Sequence, residues 1–412
     1  MDKKHGGWGR RRALAAVCVL VTTSAGAMAL RSLQAAAPAT PGIQLLRTPG
    51  GGIQPQTALD GAGVLHMIYF VGDAGAGDIE YVRRKPGAAE FSAALRVNNE
   101  LGSALAAGTV RGPQLAIGRN GRVHVIWLGS RPQRVARGRS GAASESAGPA
   151  ETMPVYFSRL NDAGMAFEPQ RNLMQYASGT DGGVSVAADA EGNVYAVWHA
   201  SGSQPGEDHR RVYLARSRDD GKTFAREAPV SPTELGACGC CGMRAFADRR
   251  GTVFILYRAA GENIHRDMTL LSSTDHGATF RAARVGPWEL NACPMSTAYL
   301  SENAQGVMAA WEKAGQVYFD SVNSASHELS EAVAGPGIAT NRKHPAVAAN
   351  ESGQVLLVWT EGTGWSRGGS LAWQLYDKSG KPVGDQGHAA GVPVWGLPSA
   401  FAERSGNFTI VY

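Results

Sequence analysis

Residues 183–201 read GVSVAADAEGNVYAVWHAS, and this stretch decides the fold that the sequence predicts. Its first part alternates small apolar with polar residues, and its second part, from Val194 to Trp198, is rich in β-branched and aromatic residues. Both features are typical of β-strands. Between them, Glu191-Gly192 provides a turn, because glycine readily adopts the positive φ angles of tight hairpins. The stretch therefore predicts an antiparallel β-hairpin.

Six other stretches have the same pattern. They begin at Pro55, Pro113, Met243, Ser296, Pro345 and Pro398. With the one at Gly183 they recur about every 50 to 70 residues, near the period of a four-stranded propeller blade. Most continue into a third strand that contains an aromatic residue, as in IEYVRR at Ile79 and RVYLARS at Arg211. Since no long segment has helical periodicity, we expect an all-β protein.

The composition agrees with a β fold rich in turns. The 412 residues include 53 glycines without a G-X-Y period, which excludes collagen, and only 18% charged residues, which argues against disorder. Length alone would suggest two or three domains, but one propeller accounts for the repeat. The sequence has no G-x-x-x-x-G-K-[ST], H-E-x-x-H or G-x-S-x-G motif, so nothing indicates nucleotide hydrolysis, zincin or serine-hydrolase chemistry.

The N-terminus has the features of an export signal. Residues 2–12 are basic, the run from Ala13 to Leu30 is apolar, and Ala27-Met28-Ala29 matches a small-residue cleavage site. We therefore expect residues 1–29 to be a signal peptide and residues 30–42 to be a linker. An uncleaved membrane anchor is the alternative, because the apolar run is just long enough to span a bilayer.

The predicted leader changes how the net charge is interpreted. It holds five basic residues and one acidic residue, so its cleavage would bring the net charge of +5 close to neutral. The basic composition then gives no support for a nucleic-acid partner. Arg11-Arg12 suggests twin-arginine export, which would place the protein in the periplasm or outside the cell, and no later stretch is apolar enough to span a membrane.

Two of the third strands run directly into a specific motif. Residues 217–224 read SRDDGKTF, residues 273–280 read STDHGATF, and a degenerate copy, NDAGMAF, occupies residues 161–167. In this pattern the Asp carboxylate can accept backbone N–H groups across the turn, the Gly permits positive φ, and the Phe fills the space between blades. We assign a structural role to Ser217, Asp219, Gly221, Thr223, Phe224, Ser273, Asp275, Gly277, Thr279 and Phe280.

These motifs match S-x-D-x-G-x-T-[WF], the Asp box or BNR repeat, and residues 43–412 resemble a sialidase-like β-propeller of exported bacterial proteins. C-x-C-C at residues 238–241, followed by N-x-C-P at residues 291–294, resembles a subgroup of that family. Seven hairpins favour seven four-stranded blades, whereas six is the alternative because catalytic family members usually have six. A lone strand from Ile43 to Thr48 would pair with the C-terminal hairpin, ending at Tyr412, and close the ring.

The resemblance implies a site on the face opposite the Asp boxes, where the connections between blades lie. A sialidase holds the sugar carboxylate with three arginines and uses an acid and a Tyr–Glu pair. The candidates on this face are Arg244, Arg266 and either Arg111 or Arg342 as the arginines, Asp181 or Asp267 as the acid, and Tyr257 with Glu262 as the nucleophile pair. The F/Y-R-I-P signature of active sialidases is missing, because the corresponding place reads GIQPQ. Structural ion pairs are the alternative role for each arginine.

Four of the five cysteines lie in two consecutive connections on the same face: Cys238, Cys240, Cys241 and Cys293. In an exported protein this even number favours disulfides, with Cys293 bound to one of the other three. Closure between Cys238 and Cys241 would be less strained than closure between the adjacent Cys240 and Cys241. The alternative is a soft-metal site for Cu or Zn, and no other cofactor is expected.

Two functions remain open from the sequence. One is an exported monomer that acts on or binds a glycan or glycoconjugate, up to hydrolysis of the exo-sialidase type; Trp288, Trp365 and Trp395 lie on the same face, where their rings can stack on sugars. The other is a non-catalytic binding or scaffold propeller with the cysteine-rich site. The insertion from Arg131 to Met153, rich in Arg, Ser, Gly and Ala, is expected to be a mobile loop.

Overall fold

The computed structural model describes residues 41–131, 133–135, 150–202, 204–329 and 331–412. The predicted signal peptide and most of the predicted linker lie outside these residues, as does most of the predicted loop between Arg131 and Met153. From Pro41 onward the described chain forms one unit. Within it, no helix has the length and apolar character needed to cross a membrane.

Six blades are four-stranded antiparallel sheets that follow one another along the chain. Blade 1 contains β2 (Ile53–Leu59), β3 (Leu65–Asp73), β4 (Ala76–Arg84) and β5 (Leu95–Arg96). Blade 2 contains β6 (Gln114–Ile117), β7 (Val123–Leu128), β10 (Val155–Arg159) and β11 (Arg171–Asn172), with β8 (Gln133–Val135) and β9 (Ala150–Thr152) as a separate ribbon. Blade 3 contains β12 (Val184–Ala188), β13 (Val194–Ala200), β14 (Arg211–Ser217) and β15 (Ala228–Pro229).

The next three blades repeat the arrangement. Blade 4 contains β16 (Arg244–Ala247), β17 (Val253–Arg258), β18 (Met268–Ser273) and β19 (Arg281–Val285). Blade 5 contains β20 (Tyr299–Asn303), β21 (Gly306–Lys313), β22 (Gln316–Ser321) and β23 (Val333–Ala334). Blade 6 contains β24 (Arg342–Ala349), β25 (Val355–Glu361), β26 (Gly369–Tyr376) and β27 (Pro382–Val392). Short 3-10 turns occupy Pro49–Gly51, Arg119–Gly121 and Thr233–Leu235.

The two ends of the described chain build the seventh blade together. It consists of β28 (Ser399–Ala402), β29 (Phe408–Val411) and β1 (Ile43–Leu46), and β1 pairs with β29 in parallel, with Ile43 opposite Phe408. The inner strand β28 contacts both β24 and β2, so the ring is closed. This confirms the predicted propeller of seven blades and its closure by the terminal strands, although the described part of blade 7 has three strands.

The hydrophobic core lies between neighbouring blades. The second strand of each blade is almost fully buried, which explains its continuous run of β-branched and aromatic residues. Trp127, Trp198 and Trp359 near the ends of these strands have no exposed surface, and Trp311 is almost as buried. These tryptophans therefore stabilise blade packing and do not belong to a binding surface.

The two Asp boxes have the same hydrogen bonds. In blade 3, the Asp219 carboxylate accepts the Thr223 backbone N–H at 2.9 Å and the Thr223 hydroxyl at 2.6 Å, and Ser217 Oγ accepts the Gly221 N–H. In blade 4, Asp275, Thr279, Ser273 and Gly277 repeat these bonds. Phe224 packs edge-on against Phe157 of blade 2 at 4.8 Å between ring centroids, so the motif joins neighbouring blades.

Protonation of carboxylates in the Asp box of blade 3 is expected to destabilise the folded protein in acid. Desolvation opposes ionisation of Asp219, but hydrogen bonds from Thr223 and Ser217 outweigh it and lower the pKa of Asp219 to about 2. Desolvation likewise opposes ionisation of Asp220, but bonds from His124 and Arg122 lower its pKa to about 2. Because these pKa values lie below those of the unfolded chain, the stabilisation is present above about pH 4 and is lost as the pH falls towards about 2.

We therefore expect the thermal midpoint of unfolding to decrease steeply between about pH 4 and pH 2. An Asp219→Asn/Asp220→Asn double variant should start from a lower midpoint and lose less over the same interval, because Asn does not titrate. Thermal denaturation followed by circular dichroism measures both slopes. Parallel slopes for the wild type and the double variant would show that other groups cause the acid sensitivity.

Candidate functional site

The inner strands begin on the face that carries the connections between blades, and their first residues line the central channel there. Arg244 starts β16, and its Nη1 donates to Oε1 of Gln56 and to Oε1 of Gln114, each at 2.6 Å. Its guanidinium carbon lies 4.8 Å from the ring centroid of Tyr299. Since these partners belong to blades 1, 2 and 5, Arg244 of blade 4 binds across the channel.

Arg244 has an incomplete set of partners. It is 9% exposed, no described carboxylate lies within ion-pair distance, and its buried Nε has no hydrogen-bond partner in the described residues. Burial lowers the pKa of Arg244, yet a guanidinium stays charged in proteins. A buried charge without a counter-ion is costly, so this position favours a bound anion.

Two tryptophans lie in loops on the same face, at the mouth of the channel. The rings of Trp365 and Trp395 meet edge to face at 6.4 Å, and Trp365 is 56% exposed. They line a shallow, open pocket with a volume of only about 20 Å³, together with Lys343 and His344. Gln54 of β2 donates to the backbone oxygen of Trp395 at 3.0 Å. The next channel residue along β2 is Gln56, so β2 links the pocket to Arg244.

The pocket carries positive charge from two side chains. The Arg111 guanidinium carbon lies 5.8 Å from the Trp365 ring centroid, and Lys343 Nζ donates to the Pro294 carbonyl at 2.7 Å. Burial lowers the pKa of His344 to about 3, with a further contribution from Lys343, so the His344 ring is neutral near pH 7. The mouth therefore combines exposed aromatic surface with cationic groups.

Most of the arginines predicted from the sequence are paired with separate carboxylates. Arg111 binds Asp181 at 2.6 Å, Arg266 binds Glu207 at 2.7 Å, and Arg342 binds Glu361 at 3.1 Å. Arg266 belongs to blade 4 and Glu207 to a loop of blade 3, so this pair joins two blades, as the alternative reading of the sequence had it. The structure thus gives each of these three arginines its own partner, and it leaves only Arg244, among the four candidates, without one in the described residues.

The predicted acid and nucleophile pair are not brought together around Arg244. Asp267 is buried and binds Arg284, with Nε at 2.9 Å, and the Trp288 backbone N–H at 2.7 Å. Tyr257 is buried in the core between blades 3 and 4, because its position on β17 points into that core. Glu262 is exposed and lies near His265, at 3.8 Å. No hydrogen bond between Tyr257 and Glu262 occurs in the described residues.

The cysteines, in contrast, do come together. We call Cys238, Cys240, Cys241 and Cys293 the thiol cluster. Cys238 Sγ lies 3.4 Å from Cys240 Sγ and 3.3 Å from Cys241 Sγ. All four thiols are free in the structure, so the predicted disulfides are not formed in it, and they remain a prediction for the exported protein. Hydrogen bonding from Cys238 lowers the pKa of Cys293 to about 6, whereas its bond with Cys240 raises the pKa of Cys238.

Sequence reasoning missed three contributors to this face. Gln56 and Gln114 hold Arg244, and each follows a proline at the start of its hairpin, so the shared Pro-Gln dipeptide was a usable signal. Glu207 binds Arg266, accepts the Gly239 N–H at 2.7 Å and lies beside the thiol cluster. It lies in a loop without any repeat pattern, so the sequence contains no comparable signal for it.

Comparison with known proteins identifies solved structures with a similar fold. No family model matches the sequence, and no curated protein matches it. A protein of unknown function from Dyadobacter fermentans matches with a TM-score of 0.52 at 13% identity, covering 85% of this chain and 97% of that one. The NanB sialidase from Streptococcus pneumoniae matches with a TM-score of 0.50 at 9% identity, covering 76% of this chain and 65% of that one. The fold is sialidase-like.

A third solved structure with a similar fold is an enzyme of a different class from the sialidases. A fungal alcohol oxidase of the AA5 family, in complex with copper, matches with a TM-score of 0.50 at 13% identity, covering 87% of this chain and 69% of that one. At these identities the likenesses establish the propeller architecture alone, because one fold hosts unrelated functions. Function has to be argued from the residues of the site.

Proposed function

We propose that this propeller binds a carboxylate-bearing glycan at the mouth of its channel, without hydrolysing it. The observation that carries the proposal is Arg244, a buried guanidinium without a described counter-ion that faces only two glutamine amides and the Tyr299 ring. A carboxylate is the group that a guanidinium binds best, because the planar fork of N–H donors fits its two oxygens. The buried Nε of Arg244 has no partner in the described residues, so its N–H is not committed to another bond.

The tryptophan pair supplies the complementary contact. Aromatic rings stack on the apolar faces of sugars, and Trp365 has enough exposed surface for this. Gln54 bonds to Trp395 and Gln56 bonds to Arg244, so both contacts come from the irregular start of β2, two residues apart.

The ion pairs favour binding over hydrolysis. A sialidase reaction needs several arginines on one carboxylate and a tyrosine nucleophile paired with an acid. Here Arg111, Arg266 and Arg342 are occupied by separate carboxylates, and Tyr257 is buried away from Glu262. Export through the predicted signal peptide would bring the site to extracellular glycans.

Binding of sialyllactose, with lactose as the uncharged comparison, tests the proposal by isothermal titration calorimetry. Arg244→Gln should weaken sialyllactose binding by about ten- to a hundredfold and leave lactose binding unchanged, because a hydrogen bond to a charged group contributes about 1.5 to 3 kcal/mol. The variant should unfold at an equal or higher temperature than the wild type, since it removes a buried uncompensated charge.

Trp365→Ala should weaken the binding of both sugars by about tenfold, since it removes the stacking surface. Tyr176→Ala is the matched control: Tyr176 is also exposed and also lies beneath an arginine, Arg226, but it does not line the pocket. Equal affinity for sialyllactose and lactose would refute the carboxylate assignment. If the wild type cleaves a fluorogenic sialoside and Arg244→Gln does not, the site hydrolyses sialosides, and the proposal of binding alone is wrong.

A further inference from the structure

A second candidate site is formed by the thiol cluster, on the same face as the channel mouth. Cys238, Cys240 and Cys241 come from the connection between blades 3 and 4, and Cys293 comes from the connection between blades 4 and 5. The sulfurs of the first three all lie within 4.8 Å of one another. Cys240 and Cys293 form a second such group with a carboxylate oxygen of Glu207. Four thiols from two connections between blades therefore form two overlapping groups that share Cys240.

We infer that the thiol cluster binds one Cu(I) ion, with the sulfurs of Cys238, Cys240 and Cys241 as ligands and Cys293 at the exposed side. Soft thiolate sulfurs select soft ions, and Cu(I) is the soft member of the common biological metals. The inference is independent of the proposed glycan site, because Arg244 and the two tryptophans contribute no ligand to it.

The spacing of the sulfurs fits a single ion. Thiolates about 2.3 Å from one metal in a trigonal arrangement lie about 4 Å apart. The separations of 3.3 and 3.4 Å between the sulfurs are shorter, so each sulfur has to move outward by well under 1 Å to admit the ion. Structural zinc sites take four tetrahedral ligands with two or more residues between paired cysteines, and C-x-C-C lacks that spacing. Cu(I) therefore fits this cluster better than Zn(II).

Two arginines beside the thiol cluster compensate part of the negative charge of its thiolates. Arg266 lies close enough to Cys238 and Cys293 to interact with them electrostatically, and Arg258 does the same for Cys241. Both arginines are buried, and each also binds a carboxylate, Glu207 or Glu312. The backbone is fixed as well, because the Cys238 N–H donates to the Arg258 carbonyl at 2.9 Å. The ligand loop is thus held before an ion arrives.

Exposure within the cluster defines a route for the ion. Cys238 and Cys241 are buried, Cys240 is half-buried and Cys293 is exposed. An arriving Cu(I) can therefore meet Cys293 first and pass to the buried sulfurs by exchange of ligands. Each Cu–S bond forms as the thiol releases its proton to water, and copper stays in the +1 state throughout, so the step needs no oxidant or reductant.

Competition with the Cu(I) probe bicinchoninate tests the inference on the full-length protein, kept reduced and anaerobic. The wild type should withdraw one Cu(I) per chain from the probe. Cys240→Ser and Cys241→Ser should each weaken binding by about a hundredfold or more, because a metal ligand is lost. Ala260→Ser is the matched control, since it adds a hydroxyl in the same buried cluster and keeps all four sulfurs, and it should bind like the wild type.

A second measurement does not depend on how the variants fold. Loading the native protein with Cu(I) should protect the thiols of the cluster from alkylation by iodoacetamide, as counted by mass spectrometry, and prior alkylation should abolish Cu(I) withdrawal. Unprotected thiols, or no withdrawal of Cu(I) by the reduced protein, would refute the inference. So would tighter binding of Zn(II) than of Cu(I), and a native protein that holds two disulfides and binds no copper after their reduction.

Discussion

Replacing Asp220 with Asn is expected to lower the free energy of unfolding by about 3 kcal/mol, the cost of removing one member of a buried ion pair. Asp220 is 4% exposed and lies in the Asp-box turn of blade 3. Its Oδ2 accepts the Nε of Arg122 at 2.7 Å and lies 3.4 Å from Nη1 of Arg159. Both arginines belong to blade 2. The substitution therefore leaves the buried Arg159 and the partly buried Arg122 with less compensation at the junction of two blades.

The chain offers a matched control for Asp220→Asn. Asp162 binds Nη2 of the same Arg122, but its side chain is 77% exposed. An exposed ion pair contributes about 0 to 1 kcal/mol, so Asp162→Asn should have little effect on the free energy of unfolding. Urea denaturation measures both changes in the free energy of unfolding, provided that the m-value is the same for the wild type and the variants. Equal losses would mean that burial does not govern the contribution of these carboxylates.

Asp220 also shows where the sequence stops being informative. The Asp box repeats Ser217, Asp219, Gly221 and Thr223 in a fixed spacing, because those side chains bond to their own turn. Local bonds of this kind produce a pattern that can be read from one sequence. Asp220 occupies a variable position of the motif, and its partners Arg122 and Arg159 lie 98 and 61 residues away. Only the packing of two blades brings them together.

The candidate site also combines features that the sequence predicts with features that it does not. The repeat count predicted seven blades, and the connection lengths placed the cysteines and arginines on one face, since strand direction alternates regularly. The convergence of Cys238 with Cys241 follows from their closeness in the chain. The pairing of Arg266 with Glu207 does not, because it depends on how a loop without a repeat pattern lies against blade 4. Topology was therefore predictable, whereas the partners of individual charges were not.

The unpaired state of Arg244 illustrates the limit most clearly. Nothing distinguishes it in sequence from Arg342, since each is the first residue of an inner strand. In the structure Arg342 finds Glu361 on its own blade at 3.1 Å, whereas Arg244 meets only the amide oxygens of two glutamines and the Tyr299 ring. The functional proposal rests on this difference, which a list of arginines cannot reveal.

The closure of the ring leads to the second large effect, a loss of about 4 kcal/mol in the free energy of unfolding for Phe408→Ala. Phe408 is fully buried on β29 and packs in the core that blades 5, 6 and 7 share. It lies opposite Ile43 of β1 in the parallel pair that joins the two ends of the described chain. The variant therefore creates a cavity and also weakens the contact that closes the propeller.

Phe91→Ala is the control for Phe408→Ala. Phe91 is only partly buried, and it packs at the edge of blade 1 with the Arg84 guanidinium carbon 5.4 Å from its ring centroid. Removing a partly exposed ring should lower the free energy of unfolding by about 1 kcal/mol.

Limited proteolysis alongside urea denaturation separates two outcomes for Phe408→Ala. Cleavage near the two ends of the described chain before global unfolding shows that the closing blade opens first, whereas simultaneous loss of all blades shows that the ring unfolds cooperatively. A stability equal to that of the wild type would mean that the seventh blade is held mainly by its other strands, and that pairing of the chain ends contributes little.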